Sequence, residues 1–322
     1  MGPGFATASQ SHVMKAVEIH QNGGPEQLIY EEAPQPELHP DDVLVKIYAS
    51  GVNPVDYKIR KGDSRYKGFF PRILGWDFSG VVEQAGSNVT EWKPGDAVYG
   101  RPDISRNGTY AEYVAVRANE IARKPASIDH KAASGVALAG LTAWQGLFTH
   151  GQLQPEQRVL IHGASGGVGV FAVQFAKWKG AYVIGTASGE NKLFVEELGA
   201  DEVIDYKTED FTTLTDIDLV FDTQGGKVQE DSIKVLKPGG TLVGTVGIQQ
   251  PDLLKEKNIR GVSYMAQSLP ADLQLIANLI DSGDVIPVIS HIFPLRDAAE
   301  AQRLSEEGHT RGKIVLQVVE QA

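Results

Sequence analysis

From Met14 to about residue 131 the apolar positions come in short β-rich runs separated by glycine and proline, as in Val43-Leu44-Val45-Lys46-Ile47-Tyr48 and Gly80-Val81-Val82-Glu83-Gln84. Such spacing predicts a compact, barrel-like β domain. Near residue 132 the texture changes: Ala132 to Phe148 is rich in alanine and leucine, and strand-like runs then alternate with helical ones. Arg158-Val159-Leu160-Ile161-His162 reads as a strand buried on both faces. Phe171, Phe175 and Trp178, at i, i+4 and i+7, put one apolar stripe on the next helix, and Gly180 stands at its C-cap. Further strands are expected over 182–186, 202–205, 218–222 and 241–246, with a helix over 191–198 and a Lys237-Pro238-Gly239-Gly240 turn before the last strand. This alternation predicts an α/β fold with a doubly wound parallel sheet. After a helix at 272–280, β-like runs return at 285–293 and 313–319 around a helical 297–306. The expected organisation is therefore a first domain made of 14–131 and the returning tail 285–322, with a nucleotide-type domain over 132–284. Residues 1–13, small and polar, are read as a flexible extension or cloning remnant outside the fold.

Composition narrows the function classes. A length of 322 residues suits two ordinary domains, and a formal charge of -11 sets up repulsion toward a polyanion, so nucleic acid is not the expected partner. No run approaches the roughly 18 apolar residues of a membrane span, and no basic-then-apolar secretory signal opens the chain, so a soluble cytoplasmic protein is expected. Cysteine is absent, which removes disulfides, catalytic thiols and thiolate metal sites together. The eight histidines form no H-x-x-x-H or H-E-x-x-H pattern and there is no G-x-S-x-G elbow, so hydrolase readings lack support.

The strand ending at His162 runs into Gly163-Ala164-Ser165-Gly166-Gly167-Val168-Gly169 and then a helix, the context a dinucleotide fingerprint requires. Against G-x-G-x-x-G, Ala164 takes the first compared position while Gly166 and Gly169 hold the other two. Small residues let backbone amides approach a pyrophosphate, and the helix N-terminus adds free N–H donors and a favourable dipole. The alternative is a tight turn that holds no ligand. Where an NAD site places a carboxylate, the second strand ends in Thr186-Ala187-Ser188. Hydroxyls at Thr186 and Ser188, with Lys192 nearby, suit a 2′-phosphate, although Glu190 stands close by; NADPH is the expected cofactor.

Several segments together resemble the zinc-independent, zeta-crystallin-like quinone oxidoreductases of the medium-chain dehydrogenase/reductase superfamily. They are Gly51-Val52-Asn53-Pro54-Val55-Asp56, Leu74-Gly75-Trp76-Asp77-Phe78-Ser79-Gly80-Val81-Val82, Trp92-Lys93-Pro94-Gly95-Asp96, Gly108-Thr109-Tyr110-Ala111-Glu112-Tyr113 and the glycine loop, in an order that covers Met14 to Val319. The resemblance implies a GroES-like β-barrel catalytic domain made of both chain ends, an inserted Rossmann nucleotide-binding domain, an active site in the cleft and a homodimer. Zinc alcohol dehydrogenases of the superfamily carry cysteine where Asn53 stands, histidine where Trp76 stands and a further cysteine near Leu138, so no metal is expected here. Lacking that Lewis acid, the chain is expected to pass hydride from NADPH to an acceptor that conjugation already makes electron-poor, a quinone or an α,β-unsaturated carbonyl compound. A non-catalytic NADPH-binding redox sensor or lens-type structural protein is the alternative.

The resemblance turns Asn53, Tyr57 and Lys58 toward nicotinamide and substrate as orienting donors; their plainer readings are a turn cap, a packing ring and a solvated amine. It also implies that Thr142 faces the cofactor, against a hydroxyl bonded to its own helix, and that Tyr206 lies beside the adenosine phosphate. The nicotinamide is expected against Val246 and Gly247, which follow a parallel strand. Arg311 and Lys313 in the tail are further candidates to reach the phosphate, and His162 is read as structural.

Overall fold

The computed structural model describes residues 12–66, 68–320 and 322. Of the expected extension, residues 1–11 lie outside the described residues, and Val13 already opens a strand, Val13–Ile19. That strand sits between Ile29–Pro34 and Arg72–Ile73 in a small three-stranded sheet.

The spine of the first large sheet is Asp42–Val52, buried along most of its eleven residues because neighbours lie on both edges. The sheet runs Ile289–Pro294, Lys313–Gln317, Asp42–Val52, Phe78–Ala85, Ala97–Gly100, Ile121–Arg123, and Tyr113–Arg117 pairs with the spine as well. Val43, Val45, Ile47, Phe78, Val98 and Val116 interlock as its core. The tail is thus structurally part of the first sheet, Ile314 standing opposite Val52 and Leu316 opposite Ser50.

The second sheet comprises β1 (Arg158–Ile161), β2 (Tyr182–Ala187), β3 (Glu202–Asp205), β4 (Ile217–Asp222), β5 (Leu236–Gly244) and β6 (Arg260–Ser263). All pairs are parallel and the order is β3-β2-β1-β4-β5-β6, the doubly wound arrangement whose switch point falls between β1 and β4. Helix Gly167–Lys179 packs Phe171 and Phe175 into the core. Trp178, expected in the same stripe, is 45% exposed and instead covers Trp144 at 5.8 Å between centroids.

Other boundaries move for local reasons. The Ala-rich stretch divides into helices His130–Ser134 and Ala137–Trp144, and the latter continues as a π-helical turn over Gln145–His150. The Lys237–Gly240 turn lies inside β5 rather than before it: Gly239, at φ +86, bulges out while its N–H donates to Asn258 O at 2.7 Å, and the pairing with β4 resumes at Thr241. Strand β6 and the helices Gly226–Ile233 and Pro251–Glu256 carry too weak a periodic pattern to be anticipated. Among the described residues no helix is long and apolar enough to cross a membrane.

Candidate cofactor crevice and active site

β1 is apolar because neighbours cover both its faces, and it ends at the turn that begins the crevice. Gly163 takes φ +62, a value that a side chain would strain. Ala164 N then donates to Thr186 O at 3.0 Å, tying the loop to β2. The helix starts at Gly167 with Gly166 as N-cap, so the first-turn amides of Gly167, Val168 and Gly169 have no partners within the helix. A Cβ on Gly169 would lie 2.0 Å from the Gly163 carbonyl oxygen, so only glycine permits this approach of helix to loop. Ala164 is fully buried against β2: it shapes the turn and does not face a ligand.

Over the C-terminal ends of β1, β2 and β3 lies a crevice of about 1110 Å³, large enough for an extended nucleotide. Ser165, Gly166, Thr186, Ser188, Tyr206 and Arg311 line it, as do Asn191, Lys207 and Phe211, which sequence reasoning passed over. Arg311 reaches across from the tail: Nε donates to Asn191 Oδ1 at 2.5 Å, a terminal nitrogen donates to Glu190 O at 2.9 Å, and the guanidinium stacks 5.0 Å from the Phe194 ring. Asn191 Nδ2 donates to Ser188 Oγ at 3.0 Å. His162 joins Thr186 Oγ1 at 3.0 Å and Ser232 Oγ at 2.8 Å, and burial depresses its pKa to about 4, so it is a neutral structural bridge.

Three further expectations need correction. Lys192 is exposed at the start of helix Lys192–Glu197 and does not line the crevice; Arg311 and Lys207 are the cations there. Lys313 does not stand at the phosphate. Its stem passes beneath Gly167 and its ammonium, 4% exposed, donates to Val52 O at 2.9 Å and to Asn53 Oδ1. Asn53, 2% exposed, is held inside this cluster: Nδ2 donates to Asp77 Oδ2 at 3.1 Å and its backbone N–H to Asp56 Oδ2 at 3.0 Å, capping helix Pro54–Lys61. Half-buried Thr142 donates its Oγ1 hydrogen to Leu138 O at 2.7 Å within its own helix, which leaves the oxygen able to accept from a ligand.

Tyr57 and Lys58 are half-buried on helix Pro54–Lys61; Lys61 lies over the Tyr57 ring, and burial first, then Arg65, lowers the Lys58 ammonium pKa. Val246 and Gly247 follow β5 at the same end of the sheet as the glycine loop, outside the crevice lining, and Gly247 O accepts from Gln229 Nε2 at 2.8 Å.

Asn53 thus belongs to a buried cluster with Asp56, Asp77 and Lys313, in which Tyr110 OH donates to Asp56 Oδ2 at 2.6 Å. Burial, with Lys313 partly opposing it, raises Asp77 from 3.8 to about 7, and burial raises Asp56 to about 6. The folded chain then holds protons that the unfolded chain releases just above pH 3.8. The stability these carboxyls contribute is full below that value and is lost as pH rises through 6 to 7. Asp77→Asn is expected to flatten this fall, read from urea unfolding midpoints between pH 5 and 8; an unchanged slope would assign the effect elsewhere.

A seven-stranded sheet completed by the tail strands Ile289–Pro294 and Lys313–Gln317, joined to a doubly wound sheet with a glycine-loop crevice, defines a nucleotide-dependent medium-chain dehydrogenase/reductase. Residues 39–126 match the alcohol dehydrogenase GroES-like domain and residues 198–316 the zinc-binding dehydrogenase domain. The chain is 34% identical to the mitochondrial NAD(P)H oxidoreductase RTN4IP1 of Danio rerio, over 98% of this chain and 94% of that one. It is 32% identical to the quinone oxidoreductase of Rattus norvegicus, over 96% and 99%. Among solved structures, the quinone oxidoreductase of Coxiella burnetii superimposes with a TM-score of 0.91 at 36% identity over 96% and 100% of the chains. The Escherichia coli quinone oxidoreductase complexed with NADPH does so with 0.87 at 28%, over 94% and 100%. The chain belongs to the zinc-independent quinone oxidoreductase family and is an oxidoreductase. Although one matching domain is named for zinc, Asn53, Trp76 and Leu138 are non-ligands in a chain without cysteine. Some relatives are named as mitochondrial, a compartment other than the cytoplasm expected from composition.

Proposed function

We propose that this protein uses NADPH to reduce a quinone or another α,β-unsaturated carbonyl compound, without zinc. The observation that carries the reading is Arg311 laid over the Ser188–Asn191 turn at the end of β2, where an NAD site would present a carboxylate. In this reading the amides of Gly167, Val168 and Gly169 hold the pyrophosphate, while Ser188, Lys207 and Arg311 hold the 2′-phosphate. When bound, the reduced nicotinamide supplies a hydride. Buried Trp76 occupies the position where zinc members of the superfamily have a histidine ligand, so the acceptor must be one whose own conjugation spreads the incoming charge. Water or the Tyr57 hydroxyl delivers the proton.

The assay is loss of NADPH absorbance with a benzoquinone or an enal, at a rate that a metal chelator leaves unchanged. Binding of NADPH without turnover of any acceptor would favour the sensor alternative. Arg311→Ala is expected to raise the NADPH Kd about tenfold, roughly 1.4 kcal/mol, and to leave NADH within twofold. Lys192→Ala should alter neither, as fluorescence titration would show; equal losses for both nucleotides in Arg311→Ala would sink the phosphate assignment. The outer edge of β6, followed by exposed Met265, is the surface through which two copies would join into the proposed homodimer, checked by mass in solution.

A further inference from the structure

The hairpin that opens the described chain carries a cluster outside the nucleotide crevice. Glu18 lies in strand Val13–Ile19, His20 just past its end, and Glu31 in the paired strand Ile29–Pro34. The antiparallel register sets Glu18 opposite Ile29 and Glu31 opposite Ala16, making the two acids diagonal neighbours on one face. His20, two residues beyond Glu18, returns to that face. One ligand atom from each of the three side chains lies within 4.8 Å of the other two.

The arrangement closes as a set of hydrogen bonds only with an added proton. Glu18 is only 7% exposed, and its carboxyl meets the Glu31 carboxyl, a contact that needs a shared proton, while His20 Nε2 is 4.0 Å away. His20 Nε2 is itself engaged by Glu31 Oε1. His20 is also the only cationic partner of either acid among the described residues, since Lys15 pairs with Glu32. Without the shared proton two carboxylates face each other, one of them buried, and a cation between them removes the repulsion.

We propose that Glu18, His20 and Glu31 bind one divalent transition-metal ion, with Zn²⁺ preferred. An imidazole nitrogen beside two carboxylates suits Zn²⁺, with water completing a tetrahedron, whereas Mg²⁺ and Ca²⁺ prefer all-oxygen sets. His20 and Glu31, with side chains 50% and 32% exposed, give the ion a path in, and they part from direct contact to admit it. The three residues lie away from the lining of the nucleotide crevice, so the ion clamps the hairpin and takes no part in hydride transfer.

The test is calorimetric titration of the tag-free full chain with ZnCl₂ and, separately, MgCl₂ at pH 7.5, together with thermal unfolding. One Zn²⁺ per chain and a Tm rise of about 2–4 °C near saturation are expected, with no response to Mg²⁺. His20→Ala and Glu31→Gln should each weaken Zn²⁺ at least tenfold. Glu18→Gln should abolish the Zn²⁺ response while raising the metal-free Tm, which separates lost binding from lost folding. NADPH-dependent quinone turnover should be the same with and without Zn²⁺ in all variants, so failure here and failure of the proposed function are separate results. Zn²⁺ affinity unchanged in His20→Ala and Glu31→Gln, an equal Mg²⁺ response, or no uptake at all, leaving a shared proton only, would overturn the site.

Discussion

Lys313→Met is expected to lower the unfolding free energy by about 3–5 kcal/mol, the range for removing one partner of a buried charged cluster. Methionine can follow the apolar path of the lysine stem past Gly135 and Gly167, so little volume is lost. The loss comes from the polar end. Val52 O and Asn53 Oδ1 lose their donor, and Asp77, 3.9 Å from Nζ and fully buried, loses its countercharge. If that is the cause, the double variant Lys313→Met/Asp77→Asn should recover more than 1 kcal/mol relative to additive losses. Chemical unfolding of the four members of the cycle gives the answer; strict additivity would show that the two groups stabilise the fold independently.

The second large effect is on ligand affinity. Gly169→Ala should weaken both pyridine nucleotides at least a hundredfold, because the new methyl would sit 2.0 Å from Gly163 O and 2.8 Å from Ala164 backbone atoms. Backbone cannot swing aside as a flexible side chain would, so the loop must lift from the helix and the amides lose their common aim. Circular dichroism should stay close to that of the parent chain while fluorescence titration loses its response. Retained affinity would mean that the loop is softer than its contacts imply.

Much of this architecture was legible in the order of residues. A continuous apolar β1, glycines at set intervals and a helix beginning at once announce a nucleotide crevice, because each requirement is local and allows few residue types. The absence of zinc ligands was equally plain at Asn53 and Trp76. What escaped was whatever depends on contacts distant in sequence. Asn53 and Lys313 are 260 positions apart, and only the pairing of Lys313–Gln317 with Asp42–Val52 brings them together. A lysine in a tail looks solvated until the strand that carries it proves to be internal. Lys192 erred in the opposite sense: nearness in sequence to Ser188 suggested nearness in space, but the helix turns it outward and leaves the position to Arg311. Thr142 could form a bond within its own helix or face a ligand, and periodicity does not distinguish the two.

The tail also does more than fill an edge. Gly312 N donates to Ser165 O at 2.9 Å, so the segment bearing Arg311 and Lys313 is fastened directly to the glycine loop while its strand pairs with Asp42–Val52. During synthesis β1 to β6 emerge well before this segment, so a nascent chain can shape the inner sheet yet cannot grip the nucleotide fully. The spine strand meanwhile waits for a neighbour translated more than 250 codons later, a slow long-range closure. The pyridine nucleotide is therefore a poor template for early folding, and it stabilises the molecule chiefly once the tail segment has docked on the glycine loop.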